Sequence, residues 1–249
     1  MNIKAPSKLL MLTEGRSLFE LGAGLVSLPL VKKIFPKGDG QPVLVLPGLG
    51  AGDLSTKLLR IFLKDLGYIP YGWDLGVNRG MQGNILGQVV CKIKTIHSEH
   101  NRKISLIGHS LGGIFARESA KAVPDMIRQV ITLGSPFTGS IDATNAKLAY
   151  SLLSGQPVTN KDRDFYASVK IKPNVPTTSI YSRLDGIVSW QCSIEESTDM
   201  AENIELVGGS HIGMASSPTA LYVIAHRLAE KEGFLQLFIP VAILKPFYR

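Results

Sequence analysis

The sequence predicts an α/β fold with a mainly parallel central sheet flanked by helices. Short β-branched runs alternate with longer segments of helical periodicity, which is the signature of repeated strand–helix–strand units. The run Val43 to Leu46 is apolar throughout instead of alternating, as expected of a strand covered on both faces. With 249 residues, 45% of them hydrophobic, the chain can bury one full core, so a single domain over residues 1–249 is expected.

Residues 1–38 read as an apolar and basic extension. Leu9 to Leu12 begin an apolar run, but Thr13, Glu14, Gly15 and Arg16 interrupt it before a signal-peptide core is complete. Leu18 to Val31 contains Glu20, Gly22, Gly24, Ser27 and Pro29 and is too short to span a bilayer, so an amphipathic surface or packing helix is expected. Lys32, Lys33 and Lys37 follow it and leave peripheral contact with an anionic lipid surface open. The expected location is the cytoplasm or its membrane face.

The first strand, Val43 to Leu46, runs into a glycine loop, Gly48 to Gly52, and Asp53 is the expected N-cap of a helix carrying Leu58, Leu59, Phe62, Leu63 and Leu66 at helical spacing. Gly67 stops it. A strand is expected at Tyr68 to Trp73, then a helix from Asn84 to His100 with Ile85, Leu86, Val89, Ile93 and Ile96 on one face. Lys103 to Ile107 reads as the next strand, and a turn leads into a helix from Leu111 to Val123, closed by Pro124. Gln129 to Leu133, Thr177 to Tyr181 and Ile204 to Val207 complete the strands, and Pro218 to Glu230 is the last helix. The stretch from about 136 to 176 is long for a connection and holds a short apolar helix pattern, Ala146 to Leu153, so a lid or cap is expected there. The apolar tail, residues 234–249, is broken by Pro240 and Pro246 and is expected to pack onto the domain, with membrane contact or a subunit interface as the other reading.

Charge and cysteines exclude several function classes. The formal charge of +7 comes from 27 basic and 20 acidic residues, but the two signs are intermixed, so a solvated surface is expected and no nucleic-acid partner. Cys91 and Cys192 support neither a disulfide framework nor a zinc site, so unpaired thiols, no metal and no cofactor are expected.

The chemistry concentrates in Gly108-His109-Ser110-Leu111-Gly112, which lies between a strand and a helix. A serine on so tight a turn needs small neighbours, and this context is the one the nucleophile-elbow pattern requires. A serine hydroxyl is a weak nucleophile until a base takes its proton, and the base needs an acid to orient it. Of five histidines, His97, His100 and His226 fall in helices and His109 inside the elbow, whereas His211 stands in a Gly208-Gly209-Ser210 loop after a strand. His211 is therefore the expected base. Asp185, in the loop after Thr177 to Tyr181, is the expected acid, in preference to Asp162, Asp164, Glu195 and Glu196. The backbone N–H groups of Leu49 and Leu111 are the expected oxyanion donors.

On these residues the chain resembles the α/β-hydrolase superfamily, and bacterial lipases and esterases within it, over residues 40 to 230. The resemblance rests on Leu46-Pro47-Gly48-Leu49-Gly50, Gly108 to Gly113, the Asp185 loop and Ser210-His211. Many lipases place a histidine before the oxyanion glycine, where this chain has Pro47. The resemblance implies attack of Ser110 on a carboxylic ester, hydrolysis of the acyl-enzyme by water, and no cofactor. An ester or lipid with an apolar acyl group is the expected substrate, argued from the lid pattern and from Ile187 and Trp190. Acyl transfer, thioester hydrolysis and a non-catalytic lipid-associated binding protein of the same fold are the alternatives. Oligomeric state is left open.

Overall fold

A computed structural model describes residues 3–138, 143–145 and 168–249. Among them, six strands form one sheet in the order β2-β1-β3-β4-β5-β6. They are β1 (Pro42–Leu46), β2 (Ile69–Tyr71), β3 (Ile104–His109), β4 (Ile127–Leu133), β5 (Thr177–Tyr181) and β6 (Ala201–Glu205). Every neighbouring pair is parallel. The helices are α1 (Lys8–Leu12), α2 (Ser17–Ile34), α3 (Lys57–Asp65), α4 (Ile85–His100), α5 (Leu111–Ala122) and α6 (Pro218–Ala229).

The apolar character of β1 follows from what covers it. Val43 and Val45 pack with Phe35, with Leu59, Phe62 and Leu63 of α3 and with Leu221 and Ile224 of α6. Leu44 and Leu46 point the opposite way, into Val89, Ile93 and Ile96 of α4 and Ile114 and Phe115 of α5. Side chains alternate across a strand, so a strand with a helical layer on each side is apolar at every position. The same alternation continues in β4 after a register shift at its start. Ile104 pairs with Ile127 but Ser105 with Gln129, which leaves Arg128 as the extra residue, reaching Asp39 (3.3 Å).

Several boundaries differ from the sequence reading. The helix expected from Asp53 begins four residues later, at Lys57 after Thr56, and the Asp53 carboxylate instead accepts the N–H groups of Trp73 (2.9 Å) and Asp74 (3.0 Å). The last strand is Ala201–Glu205, displaced from Ile204 to Val207. The two residues beyond it, Leu206 and Val207, take different partners: the Leu206 N–H donates to Tyr181 and that of Val207 to Phe247. The expected helix of residues 146–153 and most of the expected lid lie outside the described residues. The C-terminal tail runs back along the end of β6, with reciprocal bonds between Glu205 and Arg249 (2.8 and 3.1 Å), and packs through Phe238, Leu244 and Tyr248. Phe234, Leu237, Ile239 and Ile243 remain exposed. No helix among the described residues is long and apolar enough to cross a membrane. Cys91 and Cys192 are both free thiols.

One charged pair is buried outright. Arg117 of α5 is fully buried, pairs with Glu195 before β6, and lies 3.9 Å over the Phe137 ring. Burial pushes the guanidinium's pKa down, against the opposing effect of Glu195. Removing one partner would strand the other in an apolar setting. Glu195→Ala is therefore expected to destabilise the fold by about 3–5 kcal/mol, read as a lowered urea midpoint with an unchanged slope.

Candidate active site

The carboxyl ends of β1, β3, β4 and β5, with the loop that follows β6, converge on one place. Ser110 lies between the end of β3 and the start of α5 with φ 53° and ψ −121°, a backbone conformation that an L-residue holds only when its surroundings enforce it. Two hydrogen bonds do so: Ser110 N–H to Leu133 O (2.8 Å) and Gly113 N–H to Ser110 O (3.0 Å). Glycine is required on either side of the serine by close packing. A Cβ on Gly108 would strike the backbone of Gly112 and Gly113, and one on Gly112 would approach the carbonyl oxygen of Pro47 to 2.6 Å. This is the steric reason for the spacing that the sequence displays.

The structure brings Asp185 and His211 together. Asp185 Oδ2 stands 2.7 Å from His211 Nδ1, and both residues are buried. The other oxygen, Oδ1, accepts the N–H groups of Ile187 (2.9 Å) and Val188 (2.7 Å), so the carboxylate is fixed in orientation. Gly134, directly after the Leu133 that binds Ser110, has φ +56°, and a Cβ there would sit 3.0 Å from both Asp185 Oδ2 and His211 Nδ1. Only glycine lets the chain pass so close to the pair.

Burial by itself would depress the His211 pKa, but the carboxylates of Asp185 and then Glu14 outweigh it, and the net displacement is upward from the ordinary value of 6.5. His109 behaves oppositely. Its ring lies 5.1 Å from that of His211, and burial, with the neighbouring imidazole, pushes its pKa down to about 4. His109 is then neutral at neutral pH. Its Nε2 lies 2.8 Å from the His211 carbonyl oxygen, which can only accept, so Nε2 carries the proton and donates.

The glycine loop after β1 completes the site. A Cβ on Gly48 would come within 3.2 Å of the Ser110 Cβ, so the loop touches the serine directly. Asn78, fully buried, ties this loop down by donating from Nδ2 to Pro47 O (2.9 Å), while its backbone carbonyl accepts the Gly50 N–H (2.8 Å). Leu49 lies between these anchors. Leu111 opens α5, so its N–H has no acceptor within the helix.

The remaining residues weighed from sequence lie elsewhere. His100 bonds Tyr71, His226 packs on Tyr222, Glu195 pairs with Arg117 and Glu196 is exposed. Asp162 and Asp164 fall outside the described residues. Trp190 stacks on Tyr181 at 5.9 Å, and Ile187 packs on Ala143, Val188 and Cys192, so both are engaged in packing. Four residues that sequence reasoning did not select touch the site. Besides His109 they are Glu14 and Arg16, which bond to both the Asp185 and the His211 loops, and Glu20, which bonds to Ser210 of the His211 loop. No local pattern marks them, because their partners are far away in sequence. Among the described residues, no group of three or more His, Cys, Asp or Glu side chains could hold a metal ion.

The parallel sheet, the strand–turn–helix at Ser110 and the position of the site at the carboxyl ends of the strands are those of the α/β-hydrolase superfamily. Solved structures agree on the fold. The Paleococcus ferrophilus monoacylglycerol lipase superposes with a TM-score of 0.59 at 17% identity, covering 78% of this chain and 96% of that one. The mature form of the Bacillus licheniformis lipase BlEst2 gives 0.58 at 19%, covering 78% and 94%. An alpha/beta superfamily hydrolase from Oenococcus oeni PSU-1 gives 0.55 at 20%, covering 78% and 93%. More narrowly, the PGAP1-like alpha/beta domain matches residues 79–210, more than half of the chain, and the chain belongs to that family.

Two titrations follow from this geometry. In a proton NMR titration, the His211 imidazole is expected to have its midpoint above 6.5 and His109 near 4. Asp185→Asn should lower the His211 midpoint, because the imidazolium loses its anionic partner. A His211 midpoint unaffected by that substitution would contradict the pairing.

Proposed function

We propose that this protein is a serine hydrolase that cleaves carboxylic esters bearing apolar acyl groups through an acyl-enzyme on Ser110. The observation that carries the reading is the buried Asp185–His211 pair, 2.7 Å apart, packed against Gly134, the residue that follows the Leu133 whose carbonyl fixes Ser110. In this mechanism His211 takes the Ser110 proton as the hydroxyl oxygen attacks the ester carbonyl, and Asp185 stabilises the imidazolium that forms. The N–H groups of Leu49 and Leu111 stabilise the oxyanion, each by about a hundredfold or more in rate, and the N-terminus of α5 adds a favourable dipole. His211 then returns the proton to the departing alcohol. Water, deprotonated by the same imidazole, releases the acid and regenerates the serine.

The preference for apolar acyl groups is supported by the surroundings of the site. Leu184 and Ile212, adjacent in sequence to Asp185 and His211, are exposed, as are Leu9, Met11 and Leu12 of α1, which packs against Gly186. An apolar rim of this kind favours substrates held in micelles or at a lipid surface. The same rim supports peripheral membrane contact as part of this reading.

Hydrolysis of p-nitrophenyl esters of short and long acyl chains by wild type and Ser110→Ala tests the proposal. Turnover by the wild type is expected to exceed that of the variant by about 10³-fold or more, with the melting temperature unchanged. Wild-type rates in the variant would remove Ser110 from the mechanism. Ester formation from an added alcohol, in excess of free acid, would assign the site to acyl transfer instead of hydrolysis.

A further inference from the structure

We propose that Glu14 is a positioning residue for the reaction, its carboxylate joining the loop that carries Asp185 to the loop that carries His211. The proposal rests on the Ser110, His211 and Asp185 assignment above.

Glu14 lies in a single helical turn between α1 and α2 and is only 4% exposed. Oε1 accepts the N–H of Gly186 (2.8 Å) and of His211 (3.1 Å), and Oε2 accepts that of Ile212 (3.0 Å). One carboxylate therefore bonds the residue after the acid and the backbone of the base itself. Two neighbours extend the join. Arg16 donates to the carbonyls of Leu184, Gly208 (3.2 Å) and Gly209 (2.9 Å), so donors and acceptors of the same two loops are satisfied by residues two apart. Glu20 accepts from the N–H and the hydroxyl of Ser210, both at 2.8 Å.

The loops are shaped to receive this segment. A Cβ on Gly186 would lie 2.6 Å from the Leu10 carbonyl oxygen and 2.8 Å from Met11 Cα, and one on Gly213 would collide with the Glu20 carboxylate. Asn145 adds a further tie, donating to Pro6 O (3.1 Å) and to Gly186 O (2.8 Å). A chain segment that merely covered a hydrophobic face would not need charged groups placed on the flanks of both loops.

The position of Glu14 matters electrostatically as well as geometrically. The groups facing His211 are Asp185 from the loop after β5, Glu14 from the N-terminal turn and His109 from the end of β3. Glu20 and Arg16 are bound to the adjacent residues of its loop. The Glu14 charge favours the imidazolium, the state in which His211 holds the serine's proton. Replacing the carboxylate by an amide removes this charge and turns an N–H donor toward backbone donors.

The test compares Glu14→Gln and Glu14→Asp with wild type, reading ester hydrolysis across pH together with the NMR titration of His211. E14Q is expected to lower kcat by about tenfold or more, with KM within about twofold, because the base and acid lose their shared anchor. It should also move the His211 midpoint and the acid limb of the pH profile down by about half a pH unit. E14D keeps the charge but shortens the reach, so kcat falls while the midpoint stays in place. Wild-type kcat and midpoint in folded E14Q would overturn the proposal, as would a loss of kcat with the midpoint unmoved, which marks an ordinary structural contact. Where E14Q does not fold, E14D decides, its charge being retained: reduced kcat with KM and the urea unfolding midpoint at wild-type values supports the role, whereas unchanged kcat, or a loss of kcat that comes with a lowered unfolding midpoint, overturns it. Loss of folding in both overturns it too, since the fold and not the site would then require the residue. Should the wild type hydrolyse none of the esters, the rate of Ser110 labelling by a fluorophosphonate replaces kcat, and the titration reports on Glu14 regardless.

Discussion

The backbone of Ser110 is the constraint around which the rest is arranged. At φ 53° and ψ −121° it occupies a region that costs on the order of 1–3 kcal/mol. The cost is offset by the parallel ladder on both sides of β3, by the bond to Leu133 O and by the burial of Ile114 and Phe115 in the helix that follows. The turn in turn dictates glycine at 108, 112 and 113, and the β1 loop comes close enough that a Cβ at Gly48 would crowd the Ser110 side chain at 3.2 Å. Strand, turn and helix are thus a single rigid unit, and loops are built onto it.

Around those loops three carboxyl groups gather out of water, one on the loop after β5 and two from the N-terminal segment. Asp185 and Glu14 are both under 5% exposed, and Glu20 is half-buried beside them. Burial raises the Glu20 pKa, against the bonds from Ser210 and the charge of Arg16. Carboxylates removed from water must be hydrogen-bonded to stay charged. Here most of the donors are backbone N–H groups: two for one oxygen of Asp185, three for Glu14 and one for Glu20. The two loops are thereby locked by the groups that solvate the charges. At His211 the charges of Asp185 and Glu14 outweigh burial and the shift is upward, whereas at His109 burial and the neighbouring imidazole outweigh the bond to the His211 carbonyl and the shift is downward.

How much of this is legible in the sequence depends on the reach of each interaction. The elbow is legible because its constraint acts within five residues, and Asp185 and His211 because each follows a strand run in chain order. The covered strand β1 is legible because two faces of helix leave no polar position. Asp53 misleads because an aspartate before an apolar periodic segment looks like a helix cap, yet its carboxylate is taken by Trp73 and Asp74, about twenty residues on. The last strand is displaced because Glu202 and Glu205 lower its apparent β character. In the fold, Glu202 pairs with Arg227 and Glu205 with Arg183. Glu14 could not be found from any window of sequence. Its partners stand 172 to 198 residues away, and in its own neighbourhood it reads only as an interruption of an apolar run.

That separation has a consequence for the order in which the molecule takes shape. A contact spanning most of the chain closes a very long loop and forms late, after the intervening strands have paired. During synthesis the segment bearing Glu14 is made before the loops it joins, which follow β5 and β6, so these ties wait for the last strands of the sheet. A sheet that is already built therefore still lacks the ties between the Asp185 and His211 loops until residues 14 to 20 return to it.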